Sequence, residues 1–276
     1  MNGGTLPMKL WDNHMHCHFS GDSDADPLDM IEKARQLGLS GITFTDHLDL
    51  DYKEEPHLFD LDLDACEKAM PALQKEAAPF FVLHGLELGL QPHLAQKHAD
   101  LLASYAFDYV IGSVHVVHTR DPYYPVYFER RDPAEAYTEY YQAVYENLAA
   151  FHNFDALGHL DYVFRYGPQD PAQPYDTYTP YAPLIDDILR FLIAHDIALE
   201  VNTGAFRCGL SVPNPCPQIL KRYHELGGKL ITIGADAHKP SDIALGFDRL
   251  PGFLASCGFD EYMVYLHRVP HPHSIY

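Results

Sequence analysis

Short runs of apolar, β-branched residues alternate with longer amphipathic segments along most of the chain. This alternation is typical of repeated βα units, which place their strands side by side in a parallel sheet. We predict seven such strands: Lys9–Asn13, Gly41–Thr45, Phe80–Leu86, Tyr109–Ser113, Ala156–Gly158, Ile197–Asn202 and Leu230–Ala235. A further strand is predicted near Tyr262–Arg268, where it would close or cover an edge of the sheet.

The size of the chain limits how these units are organised. A length of 276 residues is normal for a single α/β barrel, and no segment looks like a linker between two cores. With 47% hydrophobic and 21% charged residues, the chain can bury a large core. We therefore predict one domain over residues 1–276, of which residues 1–8 form a disordered leader.

Two of the amphipathic segments are predicted helices, Pro27–Leu37 and Pro133–Ala150. The proline that begins each helix suits the first turn, where its missing N–H has no partner to lose. Four tyrosines of the second helix recur at helical spacing: Tyr137, Tyr140, Tyr141 and Tyr145. This spacing indicates packing against the core rather than a platform for stacking bases.

The charge balance excludes one class of partner. The formal net charge is −20, from 19 basic and 39 acidic residues, and no cluster of Lys and Arg could follow a phosphate backbone. Duplex nucleic acid is therefore not an expected partner. The chain also has 18 histidines, nearly as many as its lysines and arginines together. Imidazole is the commonest metal ligand, so this content points toward metal binding.

Targeting signals and cysteine spacing give weaker information. The first residues lack the basic region and apolar run of a signal peptide, and no apolar stretch could cross a bilayer. We therefore expect a cytoplasmic protein without a membrane partner. The five cysteines show no CxxC spacing, which indicates reduced thiols rather than a disulfide framework or a thiolate zinc site.

The end of the first predicted strand carries an HxH pair, His14 and His16, followed shortly by Asp22. In an extended segment His14 and His16 point to the same side, so their imidazoles can converge on one cation. An HxH pair alone is a weak signal, because chance pairs are common in a chain so rich in histidine.

Similar residues follow nearly every other predicted strand. Gly41–Thr45 leads into Asp46 and His47, and the later strands lead into Glu87, His115, His159 with Asp161, and Asp236 with His238. In a βα barrel these strand ends meet on one face, where active sites lie. Six imidazoles and three carboxylates are candidate metal ligands: His14, His16, Asp22, His47, Glu87, His115, His159, Asp236 and His238. This set is too large for one tetrahedral ion, and donors without thiolate suit zinc, manganese or iron.

The ordered set of HxH, TDH, Glu87, GSVH, GHLD and DAH resembles the PHP (polymerase and histidinol phosphatase) superfamily. The segments FSGDSDADPLDMIEKARQLGLSGITFTDH, EVNTGAFR and GADAHKPSDIALGF are more similar still to its histidinol-phosphate phosphatases. The resemblance runs from Trp11 to Phe247. It implies a distorted (β/α)7 barrel with the active site at the C-terminal ends of the strands, holding two to three divalent metal ions.

The resemblance also implies a role for each ligand. Three groups would each hold one ion, with Glu87 bridging: His14, His16, Glu87 and Asp236; Glu87, His115 and His159; Asp22, His47 and His238. The assignment of Asp22 as a ligand is left open, because related chains often have His there and His18 lies close by in this sequence.

The activity that follows is hydrolysis of L-histidinol phosphate to L-histidinol and phosphate, within histidine biosynthesis. Arg165 and Arg207 are candidate phosphate-binding residues, since a guanidinium matches phosphate as a fork. For Arg165 a salt bridge is an equal alternative, and Lys239 adds charge or caps the rim. Candidate catalytic carboxylates are Asp161, Asp236 and Glu87. The proton that the leaving alkoxide needs could come from Asp161, from Asp236 or from a metal-bound water.

Three other functions stay open from the sequence. The first is a PHP-type phosphoesterase acting on nucleotides or other small phosphate esters. The second is a metal amidohydrolase, whose barrel also begins with HxH, although GSVH offers no bridging lysine after the fourth strand. The third is a non-catalytic metal-binding protein, which conflicts with ligands drawn from so many strand ends.

Overall fold

A computed structural model describes residues 10–168 and 176–276 of the chain. The strands are β1 Trp11–Met15, β2 Gly41–Phe44, β3 His47–Leu48, β4 Phe81–Gly89, β5 Tyr109–Ser113, β6 Ala156–Leu157, β7 Ala198–Asn202, β8 Ile231–Gly234, β9 Glu261–Leu266 and β10 Val269–Ser274. The α-helices are α1 Pro27–Leu37, α2 Leu63–Ala77, α3 Ala95–Ser104, α4 Pro133–Ala150, α5 Ala182–Ala194, α6 Pro217–Glu225 and α7 Leu250–Ser256. The predicted leader at residues 1–8, and the first residue of the first predicted strand, lie outside the described residues.

Seven parallel strands form a sheet in the order β1-β2-β4-β5-β6-β7-β8, and the short β3 pairs with β4. The sheet curves until its two ends meet. Met15 of β1 forms an isolated parallel bridge with Ala237, and the His16 N–H donates to the Ala237 carbonyl at 2.8 Å. This nearly closed arrangement confirms the distorted (β/α)7 barrel, with its strand ends gathered at one mouth.

The carboxylate of Asp12 bridges the seam between the first and last strands. Its Oδ1 accepts the backbone N–H of Ala235 at 2.8 Å and that of His14 at 3.4 Å. Its Oδ2 accepts the N–H of Ala244 at 2.9 Å. The side chain is fully buried, so these contacts replace the ladder hydrogen bonds that β1 and β8 do not make.

The helices at Pro27–Leu37 and Pro133–Ala150 are confirmed at their predicted bounds. An aspartate caps each of them: Asp26 accepts the N–H of Leu28, and Asp132 accepts that of Ala134. Three of the four tyrosines of α4 are buried in the core, as the spacing predicts, and Tyr145 is exposed.

Two details of the strand prediction are wrong. β4 extends to Gly89, so Glu87 lies inside a strand rather than after it. The last residues of β4 continue to pair with β5 as far as Ser113. The strand predicted near Tyr262–Arg268 does not border the barrel sheet. It pairs antiparallel with β10, and Met263 and Tyr265 pack against Tyr109 and Ala198 at the first residues of β5 and β7. The hairpin therefore covers the N-terminal end of the barrel.

The described residues contain no helix with the length and apolar character needed to cross a membrane.

Replacing Asp12 by Ala is expected to destabilise the metal-free protein by about 2–4 kcal/mol, because buried backbone N–H groups lose their acceptor. Urea unfolding, followed by circular dichroism, measures this change. Asp24→Ala removes an exposed aspartate and serves as the control. An Asp12 variant as stable as the Asp24 variant would show that the seam does not depend on this carboxylate.

Candidate metal centre

The HxH segment lies where β1 reaches the mouth of the barrel, with both imidazoles fully buried. The His14 and His16 Nε2 atoms are 3.1 Å apart, so the alternation of an extended chain places them together as predicted. Neighbouring β8 has Gly234 at this level. A Cβ on Gly234 would lie 2.3 Å from the His14 Cβ, so only glycine allows the two strands to approach this closely.

Glu87 occupies the middle of the cluster and is fully buried. Five imidazole nitrogens lie within 3.5 Å of its two oxygens: His14 Nε2 at 3.0 Å, His47 Nδ1 at 3.1 Å and His16 Nε2 at 3.5 Å from Oε2, and His159 Nε2 at 2.9 Å and His115 Nε2 at 3.3 Å from Oε1. Ser113 donates its hydroxyl to Oε1 at 2.6 Å. A carboxylate in this position can bridge two cations.

The remaining candidate ligands lie around this hub. Asp236 Oδ1 is 3.5 Å from His16 Nε2 and 3.9 Å from His14 Nε2. Asp22 Oδ2 is 2.9 Å from His238 Nε2 and 3.7 Å from His47 Nε2. All nine candidate ligands therefore meet at one mouth. The ligand left in question by the sequence is therefore Asp22. The alternative, His18, is exposed and contacts the Phe19 ring.

The ligand atoms form three groups with room for a cation: His14, His16 and Asp236; His47, Glu87 and His115; and His16, Asp22, His47 and His238. The first group contains three of the four residues implied by the resemblance and lacks Glu87. The other two groups also differ in part from the implied sets, because His47 joins Glu87 and His115, and His16 joins Asp22, His47 and His238. His159 joins the second group through Glu87 and through His115 Nε2, 3.4 Å away.

Hydrogen bonds on the far side of the rings set the tautomers. His14 Nδ1 lies 2.5 Å from Glu200 Oε1, and His115 Nδ1 lies 2.8 Å from Asp49 Oδ1. If each Nδ1 carries the proton, each Nε2 presents a lone pair to Glu87. Lone pairs of imidazole and carboxylate facing one another repel unless a cation lies between them. The donor set therefore fits divalent metal ions, held by carboxylate–histidine pairs.

The pKa values of neighbouring ligands in the centre shift in opposite directions. Burial lowers the pKa of His14, but the carboxylates of Glu200, Glu87 and Asp236 outweigh it and raise that pKa well above its usual range. Burial and the neighbouring His238 and His47 rings lower the pKa of His16 to about 3. Such opposite shifts within one cluster are typical of functional sites.

Two arginines contact the far side of Asp236. Arg165 Nη1 donates to Asp236 Oδ2 at 3.0 Å, while its Nε and Nη2 donate to Asn214 Oδ1 at 2.8 Å and Asn202 Oδ1 at 2.7 Å. Arg207 donates to the Ala235 carbonyl at 2.9 Å, and its Nη2 is 3.6 Å from Asp236 Oδ1. Arg165 is thus held on three sides, whereas Arg207 keeps more of its N–H groups available.

The structure does not bring Lys239, the third phosphate-binding candidate, or Asp161, a catalytic candidate, to the mouth. Lys239 is 67% exposed, and its nearest carboxylate among the described residues is Asp242 at 4.0 Å. Asp161 is buried and accepts three hydrogen bonds, from Thr177, Asn214 and the Cys216 N–H. Its contact with Asn214 leads on to Arg165, so Asp161 acts on the site through other residues.

Sequence reasoning missed the residues that hold the ligands. Glu200 contacts His14 and also accepts the His159 N–H at 2.8 Å, and Asp49 contacts His115. A signal was present in both cases. Glu200 is an ionisable residue in the middle of the buried strand Ala198–Asn202, and Asp49 stands two positions after the candidate ligand His47.

A cavity of about 370 Å³ opens above the cluster. Asp22, His47, His115, His159, Asp236 and His238 lie at its metal-binding end together with Arg165 and Arg207. Aromatic side chains form much of the remaining wall: Tyr52, Phe59, Tyr123, Tyr124, Tyr162 and Tyr166. Two of these rings lie directly against the ligands, since Phe59 contacts His47 and Tyr162 contacts His159. This volume suits a small ligand with an anionic end and an organic end.

The PHP domain family model matches residues 12–204, which include seven of the nine candidate ligands. The chain belongs to the PHP domain family. The resemblance found in the sequence is therefore confirmed.

Members of this family include close relatives of the chain. A histidinol-phosphatase of Lactococcus lactis subsp. lactis is 31% identical over 256 residues, covering 92% of this chain and 93% of that protein. A Clostridium acetobutylicum protein, named a probable histidinol-phosphatase, is 30% identical over 248 residues, covering 90% of this chain and 94% of that protein.

Solved structures show the same similarity. The crystal structure of histidinol phosphate phosphatase from Lactococcus lactis, complexed with zinc, L-histidinol and phosphate, matches with a TM-score of 0.85 and 28% identity, covering 95% of this chain and 99% of that chain. A Listeria monocytogenes structure with 20% identity and a TM-score of 0.74, covering 87% of this chain and 99% of that chain, shares the fold.

Replacing Glu87 by Ala is expected to lower the number of transition metal ions bound per chain, because two of the ligand sets implied by the family resemblance lose a shared oxygen ligand. Mass spectrometry of the purified protein for metals measures this number directly. Glu146→Ala, an exposed change on α4, should bind as much metal as the wild type. A normal metal content in the Glu87 variant would remove Glu87 from the bridging position.

Proposed function

We propose that the chain is a metal-dependent phosphomonoesterase that hydrolyses L-histidinol phosphate to L-histidinol and phosphate, a step of histidine biosynthesis. The observation that carries this proposal is that nine candidate metal ligands cluster together, and that six of them line one small cavity with two arginines and several aromatic side chains. The relatives named above act as histidinol-phosphatases or carry that name, and they match along nearly the whole chain.

We assign the ligands to three ions, as the family resemblance implies: His14, His16, Glu87 and Asp236 hold one; Glu87, His115 and His159 a second; Asp22, His47 and His238 a third. When bound, divalent cations neutralise phosphoryl oxygens and lower the pKa of water toward neutrality. Zinc, manganese and iron all suit this mixture of imidazole and carboxylate donors.

The two arginines take different parts in binding phosphate. Arg207, with a quarter of its side chain exposed, presents its guanidinium to the cavity and binds the phosphoryl oxygens as a fork. Arg165 donates three hydrogen bonds, to Asp236, Asn202 and Asn214. It therefore fixes the orientation of Asp236 first and offers only its remaining N–H groups to the phosphate.

The leaving oxygen of the amino alcohol needs a proton. Burial would raise the pKa of Asp236, but His14, His16 and the two arginines hold it well below its usual range, so it is a poor proton donor. Asp161 is separated from the cavity by Asn214. We therefore assign Asp236 to metal binding, Asp161 to positioning, and the proton to water in the open cavity.

Wild-type enzyme is expected to hydrolyse L-histidinol phosphate with a kcat/KM at least about 100-fold above that for p-nitrophenyl phosphate or nucleoside monophosphates, because the cavity walls contact the organic part. Phosphate release across this panel is the measurement. A His14→Ala protein purified in parallel controls for contaminating phosphatases. Equal kcat/KM values across the panel would leave a generic PHP phosphoesterase and reject the specific substrate.

A further inference from the structure

The aromatic wall connects the metal ligands to an outer rim of the cavity. One series of ring contacts starts at His159 and passes through four tyrosines, with centroids 5.1 Å apart at each step: Tyr162, Tyr166, Tyr123 and Tyr124. The Tyr124 hydroxyl then donates to Glu55 Oε1 at 2.6 Å. Glu55 therefore lies on the cavity wall several ring contacts away from the metal ligands.

Asp121 anchors this wall from behind. Its Oδ2 accepts the Tyr52 hydroxyl at 2.7 Å, and its Oδ1 accepts the Tyr162 hydroxyl at 3.2 Å and the Tyr123 N–H at 2.7 Å. Tyr52 in turn packs edge-on against Phe59, which contacts the His47 ring at 5.0 Å. These contacts satisfy both oxygens of Asp121, so it positions the wall and has little left to offer a ligand.

Glu55 differs from Asp121 because one of its oxygens stays available. Oε1 accepts the Tyr124 hydroxyl, and Oε2 has no hydrogen-bond partner within residues 10–168 and 176–276. Within those same ranges Glu55 forms no ion pair, and the cavity's two arginines pair with Asp236 instead. Burial and the Glu55 carboxylate raise the pKa of Tyr124 to about 12, so this hydroxyl remains a donor.

We propose that Glu55 is a specificity-determining residue, which forms an ion pair with the cationic nitrogen in the organic part of the substrate. The inference rests on the proposed function and adds a separate recognition point to it. Tyr123 and Tyr124 line the same cavity as Glu55, and aromatic rings attract cations. A nucleotide or sugar phosphate would instead bring neutral or anionic groups to this carboxylate, so the same residue rejects them.

The test compares Glu55→Gln with Glu54→Gln, which removes the same charge from the adjacent position and does not line the cavity. Both metal-loaded variants and the wild type are assayed with L-histidinol phosphate and p-nitrophenyl phosphate. Glu55→Gln should lower kcat/KM for L-histidinol phosphate about 10-fold or more, mainly through KM, as expected for a lost charge-assisted contact. Its kcat/KM for p-nitrophenyl phosphate, and both values for Glu54→Gln, should stay within about twofold of wild type.

The ratio of the two substrates is the decisive readout, because partial misfolding lowers both activities alike. A Glu55→Gln enzyme that keeps the wild-type ratio overturns the inference and leaves the proposed function intact. Phosphoethanolamine and ethyl phosphate separate the two ideas further, since they differ in one ammonium group.

If wild type shows no preference for L-histidinol phosphate, the proposed function fails. The inference about Glu55 is then decided by comparing phosphoethanolamine with ethyl phosphate. Wild type must then favour phosphoethanolamine over ethyl phosphate, and Glu55→Gln must lose that preference; any other result overturns it. If L-histidinol phosphate is preferred and Glu55→Gln affects it but not phosphoethanolamine, the contact is to the imidazole. If Glu55→Gln lowers kcat/KM for both L-histidinol phosphate and phosphoethanolamine, the contact is to the ammonium.

Discussion

Glu87 places a buried carboxylate among five imidazole nitrogens, and the rest of the site is arranged around it. A buried charge is costly unless it is paired, and in the metal-free protein only protonated imidazoles such as that of His14 can pair it. Divalent cations remove that cost and use the same nitrogens as ligands. The parallel barrel makes this possible because it alone gathers strand ends from His14 to His238 at one mouth.

Much of this arrangement could be predicted from the sequence. Ligands that follow strands are visible because a polar residue interrupts an apolar run, and the helices at Pro27–Leu37 and Pro133–Ala150 carry their own capping signals. The residues that support the ligands are harder to find. Glu200 and Asp49 become meaningful only when distant strands bring them to His14 and His115. The hairpin below the barrel was missed in part because β10, with two prolines, has little of the composition of a strand.

Two parts of the cavity, the metal ligands and the tyrosine wall, are held in place in a similar way. At the metal end, Asp161 orders Asn214, Asn214 orders Arg165, and Arg165 orders Asp236, so a ligand is fixed by a series of hydrogen bonds. At the organic end, Asp121 holds the tyrosines in the same indirect way. In both places a buried carboxylate that accepts several hydrogen bonds holds the geometry, and we propose that a more accessible group, Arg207 or Glu55, contacts the substrate.

The central claim is that the cluster around Glu87 acts as a centre of more than one metal ion. It is tested most directly by adding zinc or manganese stepwise to chelator-stripped protein while measuring phosphate release from L-histidinol phosphate. We expect no release from the stripped protein, and activity that rises until about two or more ions are bound per chain. Full activity without metal, or activity already complete at one ion per chain, would contradict the account.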